Sequence, residues 1–170
     1  SIIASTITNQ TGKEFINNSG KEITAESFIN QGSVTNNGTI NAESLTNTSS
    51  ITGNTGSLII SNGGTNGGTI SQNIVSITGG TLTNNNSITA NEFNNSATIS
   101  GSGSLTVTTG NNSGNITQDN VTINGDYTNT GTETWKDIMF NGTINILEPA
   151  GAEAKIWRAD TQIPSENDAW

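Results

Sequence analysis

Apolar residues along this chain are sparse and evenly spaced. The recurring apolar positions Ile23, Phe28 and Val34 fall five or six residues apart, in a chain rich in Asn, Thr, Ser and Gly. No segment shows a 3.6-residue period, and the Ile, Val and Thr content favours strands, so helix is nearly excluded. The spacing predicts short strands, each sending one or two side chains inward before a polar bend.

The order of side chains repeats. Gly20-Lys21-Glu22-Ile23-Thr24-Ala25-Glu26-Ser27-Phe28 parallels Gly38-Thr39-Ile40-Asn41-Ala42-Glu43-Ser44-Leu45, so Ile23 maps to Ile40, Phe28 to Leu45 and Val34 to Ile51. Hairpin partners read in opposite directions, whereas stacked solenoid turns read in the same direction. The repeat therefore predicts a right-handed parallel β-solenoid, with an antiparallel sandwich as the runner-up. A longer echo relates Ile40, Ala42 and Leu45 to Ile88, Ala90 and Phe93, and Ile70-Ser71-Gln72-Asn73 to Ile116-Thr117-Gln118-Asp119. Reading that block as three turns gives about ten rungs of about 16–17 residues, a rod of roughly 45–50 Å.

Bends are expected at Asn36-Asn37-Gly38, Asn62-Gly63-Gly64, Asn84-Asn85-Asn86 and Asn124-Gly125-Asp126, where Asn and Gly tolerate positive φ. Asn side chains at equivalent bends are expected to stack as amide ladders. Composition changes near residue 133. Trp135, Trp157 and Trp170, both prolines and Lys136, Lys155 and Arg158 all follow it. Residues 1–132 accordingly read as solenoid repeats and 133–170 as a C-terminal capping or docking segment, because an open last rung exposes apolar side chains and strand edges.

Composition fits that picture. Only 29% of the 170 residues are hydrophobic and 11% charged, too little apolar surface for a thick globular core but enough for a narrow stack whose turns bury one another. A net charge of −9 argues against nucleic acid or an anionic membrane surface as partner. No apolar run is long enough to insert in a membrane, and an exported form would have lost its leader before Ser1.

With no His and no Cys, Ser-His-Asp and Cys-His catalysis and imidazole or thiolate metal sites are excluded. Carboxylate pairs remain, Asp119 with Asp126 and Glu26 with Glu43, and both read better as solvated repeat positions. Between Lys21 and Lys136 no basic residue is present to neutralise a uronate, which removes the polysaccharide-lyase reading. Gly63-Gly64-Thr65-Asn66-Gly67-Gly68 lacks the Asp of a calcium-binding nonapeptide. No catalytic residue, cofactor or metal site is expected.

Thr-x-Thr pairs stand at Thr6/Thr8, Thr81/Thr83, Thr106/Thr108 and Thr132/Thr134, but they show no fixed place in the repeat. Ordinary β propensity accounts for them in preference to an ice-binding ladder. Asn-x-Ser/Thr sequons such as Asn37-Gly38-Thr39 follow from the composition alone.

Runs such as Asn37-Gly38-Thr39-Ile40-Asn41-Ala42 and Asn86-Ser87-Ile88-Thr89-Ala90 resemble the repeats of bacterial autotransporter passenger domains and related surface β-helix adhesins, over about residues 16–130. The resemblance implies export, a β-helix, and adhesion or display at the cell surface. It departs from that family in lacking a translocating barrel and in a repeat shorter than the typical filamentous-haemagglutinin rung.

Three functions follow as expectations: a passenger or stalk of an extracellular bacterial surface protein, a filament subunit stacking head to tail, and a glycan-binding module. Partners would be a second copy of the chain or host and surface glycans and proteins. The expected interaction and capping residues are Trp135, Trp157 and Trp170 at one end and Ile2 and Ile3 at the other.

Overall fold

A computed structural model of the chain describes residues 1–146, with Ile144–Ile146 described by backbone alone. Sixteen strands form one continuous sheet in which every pairing is parallel. The chain is an all-β parallel solenoid of about eight turns. No helix occurs among the described residues.

One column of paired residues marks the turns. Ile2 lies opposite Ile23, Ile23 opposite Ile40, Ile40 opposite Leu58, and the column continues through Val75, Phe93, Gly110 and Tyr127 to Ile144. A turn thus takes 17 or 18 residues after a longer first one. The pairs Ile23 with Ile40, Phe28 with Leu45 and Val34 with Ile51 are those the sequence repeat predicts. At the usual strand spacing the stack is roughly 40 Å tall. It has fewer turns than the ten expected because each turn is longer than 16 residues and the described chain stops at 146.

Inward residues come in pairs two apart, and a step of three or four between pairs marks a corner. In the second turn Ile23 and Ala25 form side one, Phe28 and Asn30 side two, and Val34 and Asn36 side three, all of them buried. Side three carries an unbroken apolar column from Val34 through Ile51, Ile70, Ile88 and Leu105 to Val121. Each fully buried Ile, Leu or Phe contributes about 1.5–3 kcal/mol, so a thin core is repeated rather than thickened.

The longer echo has a different origin from the one expected. Ile40 and Ala42 are on side one, whereas Ile88 and Ala90 pair with the side-three column of Ile70 and Gln72. The repeated block therefore covers two turns and two further sides, not three turns. A side takes about six residues, and the three sides are alike enough for a motif to recur after any whole number of them.

Two of the predicted bends fall at Asn37-Gly38 and Asn85-Asn86, one residue later than expected. Asn36 and Asn84 are 0% exposed and point into the core. Of the glycines at the four sites, Gly63 and Gly64 adopt positive φ, 80° and 135°. Gly38 is required for another reason: a Cβ there would strike the carbonyl of Lys21 in the preceding turn.

Past residue 132 the stack goes on. Thr132–Phe140 pairs in parallel with Asn115–Ile123, and Ile144–Ile146 with Tyr127–Asn129. Trp157 and Trp170, and most of the expected capping segment, lie outside the described residues.

Candidate functional site

The stack offers three features to chemistry or binding: a polar spine inside, a buried acid near its last turns, and two ends and three outer sides that meet solvent.

The spine is built from asparagines two residues after an apolar inward position. On side two the Nδ2 of Asn9 donates to Asn30 Oδ1 at 2.9 Å, Asn30 to Asn47 at 2.8 Å, Asn47 to Asn66 at 2.7 Å and Asn66 to Asn84 at 2.7 Å. The second amide hydrogen goes to a backbone carbonyl, as from Asn30 to Ser50 at 3.0 Å. A buried amide is costly unless bonded, and stacking identical amides one strand apart satisfies both its ends. The predicted amide ladders exist, but they run inside the rod just before the corners rather than on them.

At two places an Asn-Gly-Gln series replaces the simple ladder. Asn84 Nδ2 donates to Gln118 Oε1 at 2.6 Å, two turns away, over Gly101. Asn36 reaches Gln72 over Gly53 in the same way, at 2.7 Å. The glycine leaves the gap, since a Cβ on Gly101 or Gly53 would collide with the carbonyl of Asn84 or Asn36. Glutamine has the extra methylene needed to span two strand spacings, roughly 9.6 Å. Farther along, the spine moves to side one, where Asn95 donates to Asn112 at 2.8 Å and Asn112 to Asn129 at 2.9 Å.

Glu133 interrupts an apolar column. It lies opposite Ile116, which follows Leu82 and Ile99 on side two. Its Oε1 accepts from the Tyr127 hydroxyl at 2.7 Å and from Asn112 Nδ2 at 3.1 Å, while its Oε2 is buried without a partner. Burial pushes the Glu133 carboxyl above the usual range against the opposing pull of those two hydrogen bonds. Burial, then the neighbouring carboxylate, pushes the Tyr127 phenol far above its own.

The two carboxylate pairs singled out in the sequence form no shared site. Asp119 pairs with Lys136 at 2.7 Å, Asp126 is exposed, and Glu26 and Glu43 stand on the surface of successive turns.

Of the residues expected at the ends, Ile2 and Ile3 are 51% and 81% exposed at the open edge of the first turn. Phe15 covers part of that end, edge-on to Phe28 with ring centroids 6.1 Å apart. Trp135 pairs with Gln118 at the end of the side-two spine and packs against the core, so it is not presented as an open platform.

The outer sides differ in a way the sequence reading missed. On side three one outward column runs Ser33, Ser50, Thr69, Ser87 and Ser104. Two residues on, the next runs Thr35, Thr52, Ser71, Thr89, Thr106 and Thr122. Side two carries Thr6, Thr81 and Thr132 in a single column, so three of the four Thr-x-Thr pairs do share a fixed place. Their common place is hidden in the sequence because serines occupy the same columns and because turn length varies. Side one is mixed, with Glu22, Thr39, Ser57, Ile74 and Glu92 in one column.

No family model matches the chain, and neither a curated protein nor a solved structure matches it.

Proposed function

We propose that this solenoid repeat protein is a non-catalytic, extracellular rod, a passenger or stalk segment of a bacterial surface protein. The observation that carries this reading is the continuity of apolar columns and amide spine along the axis. Every turn is bonded to the next by parallel strands and by buried amides, so the molecule is built to keep its length. The Asn-Gly-Thr-Ile runs, similar to those of surface β-helix adhesins, support the location and the role in display. The outward residues between Lys21 and Lys136 include no base, which suits a spacer better than a site for acidic substrates.

Electron microscopy and small-angle scattering of the purified chain test the shape: isolated short rods agree with a stalk, and fibres refute it. Antibody labelling of intact producing cells tests the location, since labelling only after permeabilisation would remove the surface role.

A second reading, head-to-tail assembly into a filament, rests on the open first turn. There Ile2 and Ile3 are exposed, and the spine runs from donor to acceptor in one direction, which leaves the Oδ1 atoms of Asn9 and Asn17 facing the open end. A further strand pairing on that edge would be a heterologous contact that does not close. Fibres lost on Ile3→Lys substitution would favour it.

A further inference from the structure

The hydroxyls of the side-three array contribute little to holding the rod together. Its residues point outward, and few of them bond back to the chain: Thr52 Oγ1 to the Val34 carbonyl at 3.4 Å and Ser87 Oγ to Thr69 Oγ1 at 3.4 Å. β propensity alone does not explain it. Side one has the same backbone and the same two outward positions, yet it carries Glu22, Ile59, Ile74 and Glu92 where side three carries Ser and Thr. The array is also bounded. Glu14 and Ile16 precede it in the first turn; after it, Asn120 and then Asp137 continue the first column, and Met139 follows Thr122 in the second. Between those limits it holds no charge, in a protein whose net charge is −9.

We propose that side three is a binding surface for an ordered water lattice, that is, for ice. The surface repeats in two directions, about 4.8 Å from turn to turn and about 6.7 Å between the two outward positions of a strand. Both spacings are close to repeats of the ice lattice. Each hydroxyl is both donor and acceptor and can take the place of a lattice water, while the Thr methyl groups fill the spaces between. The β-branched side chains and the stacked backbone hold the array rigid before binding, so little ordering is lost on contact. A neutral, periodic ligand fits an uncharged, periodic face. Crystalline polysaccharide fits less well, since the array has no aromatic ring on which a sugar could stack. Side two is the weaker lattice, because Gly63 leaves its first column without a side chain and Ile29 interrupts the second.

This inference does not rest on the stalk reading: a chain that fails to bind ice is still a rod, and one that binds ice as fibres overturns only the stalk. The test is growth of ice from a solution of the fluorescently labelled chain, with inhibition of ice recrystallisation measured alongside. The wild-type chain is expected to enter the ice and inhibit recrystallisation. The double variant Thr52→Tyr/Thr89→Tyr is expected to need at least about tenfold more protein for the same inhibition. Ser76→Tyr on side one is expected to leave it unchanged. Tyrosine keeps strand propensity, and the isosteric pair Thr52→Val/Thr89→Val provides a second test if the bulky variant does not fold. Exclusion of the wild-type chain from ice overturns the proposal, as does capture by cellulose or chitin but not ice. Unchanged inhibition by folded side-three variants also overturns it.

Discussion

Asn47 sits at the middle of the side-two spine, accepting from Asn30 and donating to Asn66, and it is wholly buried. Asn47→Ala removes one hydrogen-bond partner from each neighbour in a place water does not reach. The expected cost is about 1–3 kcal/mol for each orphaned group, read from the urea midpoint. Glu133 presents the opposite situation, a buried group whose removal should help. Because folding raises its affinity for a proton, the folded chain holds more protons than the unfolded one above the ordinary value of 4.5. Stability should therefore fall as pH rises from that value. Glu133→Gln keeps an acceptor for the Tyr127 hydroxyl and cannot ionise. It is expected to raise stability at pH 8 by about 1–2 kcal/mol and to flatten the pH dependence. Urea midpoints at pH 4 and pH 8 check this, and an unchanged slope between them would show that Glu133 does not titrate in the window.

At the scale of one side of one turn, the unit of construction is a strand with an apolar residue, an outward residue, and a second inward residue that is Ala, Asn or apolar. The Asn-Gly-Gln series shows how tightly those positions are coupled. Gln118→Asn shortens the side chain by one methylene and leaves Asn84 Nδ2 without the oxygen that now lies 2.6 Å away. A loss of about 1–3 kcal/mol is expected from a substitution that elsewhere counts as conservative. Gly101→Ala should cost more than an ordinary Gly→Ala change, because the residue has φ 115° and its Cβ would meet the Asn84 carbonyl. If both variants unfold at the wild-type midpoint, the two-turn bridge contributes nothing to stability.

For the molecule as a whole, each turn pairs its strands only with its neighbours, and apart from the two Asn-Gly-Gln bridges stability is a sum of turns and of the contacts between adjacent ones. Amide exchange should be slowest in the central turns, near Ile51, Ile70 and Phe93, and fastest in the open first turn, where Ile2 and Ile3 are exposed. Hydrogen exchange followed by mass spectrometry gives that profile. Uniform protection from Ile2 to Phe140 would mean that the rod opens only as one unit. The same one-dimensional order makes outer sides possible that are periodic over the rod's length, which is what the side-three array exploits.

The sequence by itself pointed to the solenoid: the same-direction repeat of Ile23, Phe28 and Val34 into Ile40, Leu45 and Ile51 favours parallel stacking over hairpins. It also carried the polar spine in legible form, as asparagine two residues after an apolar position in Phe28-x-Asn30, Leu45-x-Asn47 and Leu82-x-Asn84. At Asn36 and Asn84 the same signal reads as the start of a bend because Asn is a common bend residue, and position along the chain does not say which way a side chain points. Only the tertiary structure decided the rest. Turns of 17 or 18 residues let the phase of the repeat drift, so the 46- to 48-residue echo joins different sides, and columns such as Ser33 to Ser104 come into line only when each turn is laid on the last. Asn112, which donates to the Glu133 carboxylate, is likewise a neighbour across a turn, and three of the Thr-x-Thr pairs fall into one side-two column for the same reason: in a stack, the contacts that matter lie perpendicular to the chain.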